Sequence, residues 1–327
     1  MKAYEVTLEP NQARLCCYLH DQTPEMKTAD IRPAALVFPG GGYSMCSARE
    51  ADPIALYYLS QGYNAFVLYY SVGPDAPFEK SFEDANASIQ YLVENAEELH
   101  INPKKIAVVG FSAGGHLAAS LGTMGKTRPA AMVLGYPVIL SEFGPIMNKS
   151  IPSLERKVTF ETPPTFIFAT ADDGLVPVRN SLQFASALSK SDVFFELHIF
   201  PHGAHGLSTA TPAVANNYKD MVSTDVQGWL QDSCRFLRHV MGDFTVGGKE
   251  NNGDLPNYKN IDLDTPLRYV LRSKKGKAAL EAAFPGAAQA FVQNPMSGGF
   301  SLNQIRAYAP EVLTDEGLSK FMASINS

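Results

Sequence analysis

The feature that most constrains this chain is a series of short, unbroken apolar runs separated by helix-length amphipathic stretches. Residues 34–38, 65–69, 106–109, 132–134 and 165–169 are such runs, and 194–200 is a last, alternating one. An apolar run of about five residues without polar alternation suits a strand covered on both faces, as in a parallel sheet. Between the runs, 52–60, 82–99 and 181–189 carry helical periodicity, and Asn180 or Ser181 can cap the third. This β-α-β-α alternation predicts an α/β fold, an open and mostly parallel sheet with helices on both faces. Two earlier runs, 4–8 and 15–19, predict an antiparallel hairpin at one sheet edge.

At 327 residues the chain is long enough for about two domains. Its character changes near residue 243, where Gly247, Gly248, Gly253, Asn251, Asn252 and Pro256 crowd together. Such a cluster signals a linker. The expected division is a sheet domain over 1–243, a linker over 244–259 and a small helical module over 260–327. Four short helices are expected in the module, at 266–271, 274–284, 302–309 and 315–325. Ser301 with Gln304 fits a capping box, and Thr314 can cap the last helix. A module of this size buries little surface alone, so it is expected to dock on the larger domain. Phe291, Phe300 and Tyr308 are read first as the module's own core, and second as stacking rings for carbohydrate.

Lys and Arg number 27 against 33 Asp and Glu, a net charge of −6 that argues against a nucleic-acid partner. The short basic stretch Arg272, Lys274, Lys275, Lys277 reads as a solvated helix face. The N-terminus lacks the apolar run of a signal peptide, and no stretch of about 20 apolar residues predicts a membrane span. Cys16, Cys17, Cys46 and Cys234 suggest neither a disulfide framework nor a zinc site. Scattered free thiols suit a reducing compartment, so a cytoplasmic location is expected.

Gly110-Phe111-Ser112-Ala113-Gly114 matches Gly-x-Ser-x-Gly. The bare pattern is weak, and its setting decides. It follows the apolar strand 106–109 and opens a helix over 115–120, the strand-turn-helix context of a nucleophile elbow. Its bland alternative is a glycine-rich strand-helix junction. The backbone N–H of Ala113, at a helix start, offers half of an oxyanion hole. The other half is expected from Gly41 or Gly42 in Pro39-Gly40-Gly41-Gly42-Tyr43, directly after the run 34–38. That loop lacks the Gly-x-Gly-x-x-Gly spacing of a dinucleotide site; a plain glycine turn is the other reading.

A base and an orienting acid should lie in later loops at the same sheet edge. Asp172 and Asp173 follow the run 165–169, and His202 and His205 follow the run 194–200. His20 and His100 are far from these loops, His116 is expected to pack under the elbow, His198 is in a strand and His239 in a helix. Gly203 and Gly206 flank a turn that places His205 nearer the tip, so His205 is the expected base, with His202 lining the site.

These residues together resemble the esterase/lipase-like α/β-hydrolases, the branch of acetyl-xylan and feruloyl esterases and xylanase-like proteins. The resemblance rests on Pro39-Gly40-Gly41-Gly42-Tyr43, Ser71-Val72-Gly73, Gly110 through Leu117, Asp173-Gly174-Leu175-Val176-Pro177, and Phe200-Pro201 through His205-Gly206. It covers roughly residues 30 to 240. The spacing to Val176-Pro177 then selects Asp173 over Asp172 as the acid. The resemblance implies an α/β-hydrolase fold and a Ser112, Asp173, His205 triad. It also implies hydrolysis of small or sugar-linked acyl esters without cofactor or metal. A small-molecule ester, such as an acetylated oligosaccharide, is the expected partner. Proline stands where related lipases carry histidine before the glycines, which disfavours a lipase; no apolar lid is evident either. Thr265-Pro266-Leu267 and Ser301 through Ile305 resemble, more weakly, helical modules appended to bacterial carbohydrate-active enzymes.

Rival readings are weaker. A peptidase of this fold would usually carry an N-terminal propeller, and only about 30 residues precede the first core strand. A dienelactone-type hydrolase would use cysteine at position 112, and a glycosidase would need paired carboxylates about a sugar. A carbohydrate-binding protein on a silent hydrolase scaffold remains the alternative from another class.

Overall fold

Because successive side chains of a strand point to opposite faces, each unbroken apolar run feeds two cores at once. In a computed structural model that describes residues 1–249, 251–255, 260–293 and 298–326, this division is complete. Leu36, Phe66, Val108, Leu134 and Ile167 face one core; Val37, Val67, Val109, Val133 and Phe168 face the other.

The strands are β1 (Lys2–Leu8), β2 (Ala13–Leu19), β3 (Arg32–Phe38), β4 (Asn64–Tyr69), β5 (Ile101–Phe111), β6 (Ala131–Gly135), β7 (Thr165–Thr170) and β8 (Phe195–Phe200). They form one sheet in the order β1-β2-β4-β3-β5-β6-β7-β8. The hairpin β1–β2 joins the edge antiparallel to β4, and the other pairings are parallel. The helices of this unit are α1 (Asp52–Ser60), α2 (Phe78–Glu94), α3 (Ser112–Met124), α4 (Arg179–Lys190) and α5 (Thr224–Met241). Side chains of α2, α3 and α4 fill the first core, and those of α1 and α5 fill the second. Parallel strands end at one edge, so the loops after β3, β5, β6, β7 and β8 open side by side.

Two helix readings need correction. The second helix begins at Phe78, directly after Pro77, and ends at Glu94 rather than running from 82 to 99. The stretch beyond closes in turns that end at His100 (φ 51°), where the chain reverses into β5. Neither Asn180 nor Ser181 caps α4. Val178 stands at its start, and Asn180 sits inside the first turn with its Oδ1 accepting from Ile139 and Leu140 N–H at 3.0 and 3.1 Å.

The chain divides into units Met1–Asp254 and Leu255–Ser327. Residues 244–249 and 251–254, read as the first part of a linker, belong to the first unit. Gly242 (φ 80°) and Gly253 (φ 86°) turn the chain back on the end of α5, where Asp254 N–H donates to the carbonyl of His239 at 3.0 Å. Most of the remaining expected linker, 256–259, lies outside the described residues.

The second unit contains α6 (Leu267–Arg272), α7 (Lys274–Ala283), α8 (Ala287–Gln293), α9 (Leu302–Tyr308) and α10 (Asp315–Asn326). The helix α8 was not expected from sequence, because Pro285-Gly286 reads as a stop and the segment after it is short. The Ser301–Gln304 capping box is present, and Thr314 accepts from Gly317 N–H at 3.2 Å. Leu267, Val270, Leu280, Leu302, Leu318 and Phe321 form this unit's core. Of the three aromatics expected in it, Phe291 packs against it, whereas Phe300 and Tyr308 are exposed.

The junction of β5 and α3 presses on the end of β3. A Cβ at Gly114 would lie 2.1 Å from the Phe38 carbonyl oxygen and 2.3 Å from that of Pro39. Both are backbone atoms: Phe38 ends β3, and the Pro39 carbonyl is held by the Tyr70 hydroxyl at 2.7 Å, so neither can easily step aside. We expect Gly114→Ala to cost about 3 kcal/mol of stability or more, the upper range for overpacking. A urea midpoint indistinguishable from that of the unmodified protein would contradict this close approach.

Candidate active site

Strand β5 delivers Ser112 to the open edge of the sheet, and α3 starts there. Ser112 has φ 52°, in the left-handed region that non-glycine residues rarely occupy. Such a conformation costs on the order of 1–3 kcal/mol and persists only where packing over-determines it. Here the turn lifts the hydroxyl out of the sheet while the surrounding helix stays buried.

The three expected chemical groups meet. His205 Nε2 lies 2.8 Å from Ser112 Oγ, and His205 Nδ1 lies 2.7 Å from Asp173 Oδ2. Asp173 Oδ1 accepts from the N–H groups of Leu175 and Val176 at 2.9 Å each. The carboxylate is therefore fixed by the backbone of its own loop and aimed at the ring. With the Nδ1 proton directed to Asp173, Nε2 is left as the acceptor facing the serine hydroxyl. This arrangement can take a proton from Ser112 and return it to a leaving group.

Gly41 (φ 125°) and Gly42 (φ 62°) turn the loop after β3 over the site. A Cβ at Gly41 would lie 2.2 Å from the Met45 carbonyl oxygen, so the turn excludes other residues. Gly41, Gly42, Ser112 and His205 line one cavity of about 460 Å³. Ala113 is buried in the first turn of α3, where backbone N–H groups lack intrahelical partners.

The other expected pair separates from this cluster. His202 is exposed and bonds Asp172 through Nδ1 at 3.0 Å; it does not line the cavity. The loop turns at Gly203, whose N–H donates to Asp172 Oδ1 at 2.9 Å, and this holds His202 outside. The His202 ring and the Gly203 N–H keep the Asp172 carboxyl below its ordinary range.

His116 packs beneath the elbow, as expected. Its Nε2 meets the Pro152 carbonyl at 3.0 Å, and its Nδ1 meets the Tyr43 hydroxyl at 2.9 Å. A carbonyl only accepts, so Nε2 carries the proton and Tyr43 donates to Nδ1. The ring thereby ties the glycine loop, α3 and the segment around Pro152 together. Burial pushes its pKa down to about 4.

Sequence reasoning missed several participants. Phe143, Ile146 and Met147, in short turns between β6 and β7, form an apolar wall of the cavity. No periodicity announces them. Glu50 and Tyr136 are buried beside the Ser112, His205 and Asp173 cluster. Tyr136 donates to Glu50 Oε1 at 2.7 Å and accepts from Ser208 N–H at 2.9 Å, with its ring centroid 5.0 Å from that of His205. Glu50 ends a single 3-10 turn (Ala48–Glu50) ahead of α1, where an acid reads as a solvated helix-start residue.

A mostly parallel eight-stranded sheet with a serine at a strand-to-helix turn defines an α/β hydrolase. Comparison with known proteins agrees. The profile of the BD-FAE family matches residues 22–135, and that of the prolyl oligopeptidase family matches 147–231. An α/β-hydrolase enzyme from a Medee basin deep-sea metagenome library has a solved structure that is 46% identical. The likeness covers 73% of this chain and 98% of that one at a TM-score of 0.70. Endo-1,4-β-xylanase B of Butyrivibrio fibrisolvens is 34% identical over 226 residues, 60% of this chain and 35% of that protein. Acetylxylan esterase of Xylanibacter ruminicola is 30% identical over 245 residues, 68% of this chain and 49% of that protein. The chain thus spans half or less of the length of these curated relatives. It belongs to the α/β-hydrolase family.

The buried His116 yields a prediction about pH. Its folded pKa lies below the value of about 6.5 for an unfolded histidine. The unfolded chain therefore binds this proton first, and the contribution of a neutral His116 is complete above pH ~6.5 and is lost as pH falls toward ~4. His116→Gln should show a smaller loss of urea midpoint between pH 7 and pH 5 than the unmodified protein. An equal loss in both would contradict the neutral, buried assignment.

Proposed function

We propose that this chain is a serine esterase that hydrolyses short-chain acyl esters, acetyl groups on carbohydrate above all. The observation that carries the reading is the hydrogen-bonded chain from Asp173 through His205 to Ser112. His205 takes the serine proton as the hydroxyl attacks the ester carbonyl. Asp173 holds the ring's tautomer and stabilises the imidazolium. The N–H groups of Ala113 and of Gly41 or Gly42 receive the oxyanion. His205 then protonates the leaving alcohol, and water activated by the same ring clears the acyl-enzyme. Water is the only reactant besides the ester, and every other group in these steps is a side chain or backbone N–H of this chain. The similarity to an acetylxylan esterase supports the acetyl and carbohydrate parts of the reading.

A second reading has a specific observation in its favour. Val138, Phe143, Ile146, Met147, Leu175 and Val176 make much of the cavity wall apolar. That wall favours an ester with one longer apolar limb.

Ser112→Ala should lower kcat on p-nitrophenyl acetate by at least about 10⁴-fold without changing the urea midpoint, as loss of a triad member does elsewhere. His205→Ala should be nearly as damaging and His202→Ala much milder. Activity of Ser112→Ala close to that of the unmodified protein, or the reverse order of the histidines, would sink the mechanism.

Acyl preference separates the two substrate readings. With p-nitrophenyl esters, kcat/KM should be highest for acetyl and fall toward octanoyl, and acetylated xylo-oligosaccharides should release acetate. A steady rise from acetyl to dodecanoyl would favour the apolar-limb reading instead.

A further inference from the structure

We infer that Glu50 is a positioning residue for the reaction. It ties the loop that carries the oxyanion donors to the loop that carries His205, and sets its charge beside the imidazole. The inference rests on the triad reading above.

Each oxygen of this buried carboxylate holds a different loop. Oε2 accepts from Gly40 N–H at 2.8 Å, immediately before Gly41 and Gly42. Oε1 accepts from the Tyr136 hydroxyl at 2.7 Å, and that hydroxyl accepts from Ser208 N–H at 2.9 Å, three residues after His205. Ser208 is tied further, through its Oγ to the Arg49 carbonyl and through its own carbonyl to Trp229 Nε1 at 3.0 Å. Gly40 in turn sits against the nucleophile: a Cβ there would lie 3.0 Å from Ser112 Cβ and 2.6 Å from Glu50 Oε2. Glu50 also lines the cavity shared by Ser112 and His205.

The bonding pattern sets the charge. Gly40 N–H can only donate, and Tyr136, already accepting from Ser208, has its proton free for Glu50. Both donors point at the carboxylate, so the ionised form satisfies every partner and a protonated one would leave a hydrogen without an acceptor. Burial raises the Glu50 pKa, while the Tyr136 bond, the positive form of His205, the Gly40 N–H and Arg49 oppose that rise. The groups facing Glu50 are thus Tyr136 at the end of β6, His205 after β8, Arg49 beside it and Tyr70 after β4. His205 additionally faces Asp173 after β7. When His205 becomes an imidazolium, Glu50 is a second buried anion near it, and its attraction adds to that of Asp173.

The test compares the full chain with Ser112→Ala, Glu50→Gln and Tyr136→Phe on p-nitrophenyl acetate, with circular dichroism and urea midpoints as fold controls. Glu50→Gln should fold and lower kcat by about 10²-fold, the scale of an ångström-level misplacement, with little change in KM. Loss of the anion disfavours protonated His205, so the acid limb of its kcat/KM profile should move to lower pH. Tyr136→Phe cuts the bridge but keeps the carboxylate, so kcat should fall while the acid limb stays closer to its original pH. A folded Glu50→Gln with unchanged kcat and acid limb, even at reduced stability, would overturn the inference. Should that variant not fold, Tyr136→Phe with the kcat of the unmodified protein would overturn it equally. Absence of Ser112-dependent hydrolysis in the unmodified chain would remove the triad reading itself, a result distinct from failure of the Glu50 inference alone.

Discussion

The site depends on one backbone contact, the start of α3 against the end of β3. Gly114 lets the helix approach the carbonyls of Phe38 and Pro39 to a distance that a side chain would forbid. Two consequences follow from that approach. Ser112 is held at φ 52°, with its hydroxyl above the sheet, and the glycine loop that begins at Pro39 is brought beside it. The strain is borne by the centre of the sheet, where β5 is paired on both sides to β3 and β6 and covered on both faces.

Around that contact, buried polar groups link loops that the sheet merely sets near one another. Glu50 and Tyr136 join the glycine loop to the His205 loop. His116 joins Tyr43 in the glycine loop to the segment at Pro152. Asn180 holds the backbone of Ile139 and Leu140, beside the apolar wall of the cavity. In a low-dielectric interior an unpaired polar group would be costly, so each of these side chains specifies one arrangement of its loop. His205 meets Ser112 and Asp173 at hydrogen-bond distance, and small loop displacements would break both bonds. Fully satisfied links of this kind restrict such displacements.

Strand positions and the outline of the site were legible because their causes are local. An apolar run between turn residues reads as a strand whatever surrounds it, and Gly-x-Ser-x-Gly between a strand and a helix carries its own context. His205 could be separated from His202 by its place in a glycine turn, whereas Asp173 was separated from Asp172 only by the family resemblance. The start of α2 was misread because Phe78-Glu79-Lys80-Ser81 is as polar as a loop, and its helical state follows from Phe78 and Ser81 being buried in the fold. Asn180 was misread as a cap because an asparagine near a helix start usually serves its own helix. Its partners lie some 40 positions earlier in the chain.

By itself, then, the sequence determined the α/β class, the edge hairpin, the strand-to-helix turn at Ser112 and the order in which Ser112, Asp173 and His205 arrive. Those features depend on side-chain period, on backbone freedom at glycine and on neighbours a few residues apart. Tertiary structure alone decided that Glu50 and Tyr136 lie beside His205, that His202 faces outward and that Phe143, Ile146 and Met147 wall the cavity. These outcomes depend on which loops become neighbours when parallel strands end at one edge. The Glu50–Tyr136 bond spans 86 residues and Ser112–His205 spans 93. No local pattern encodes such a separation; the packing of the sheet and its helices closes it.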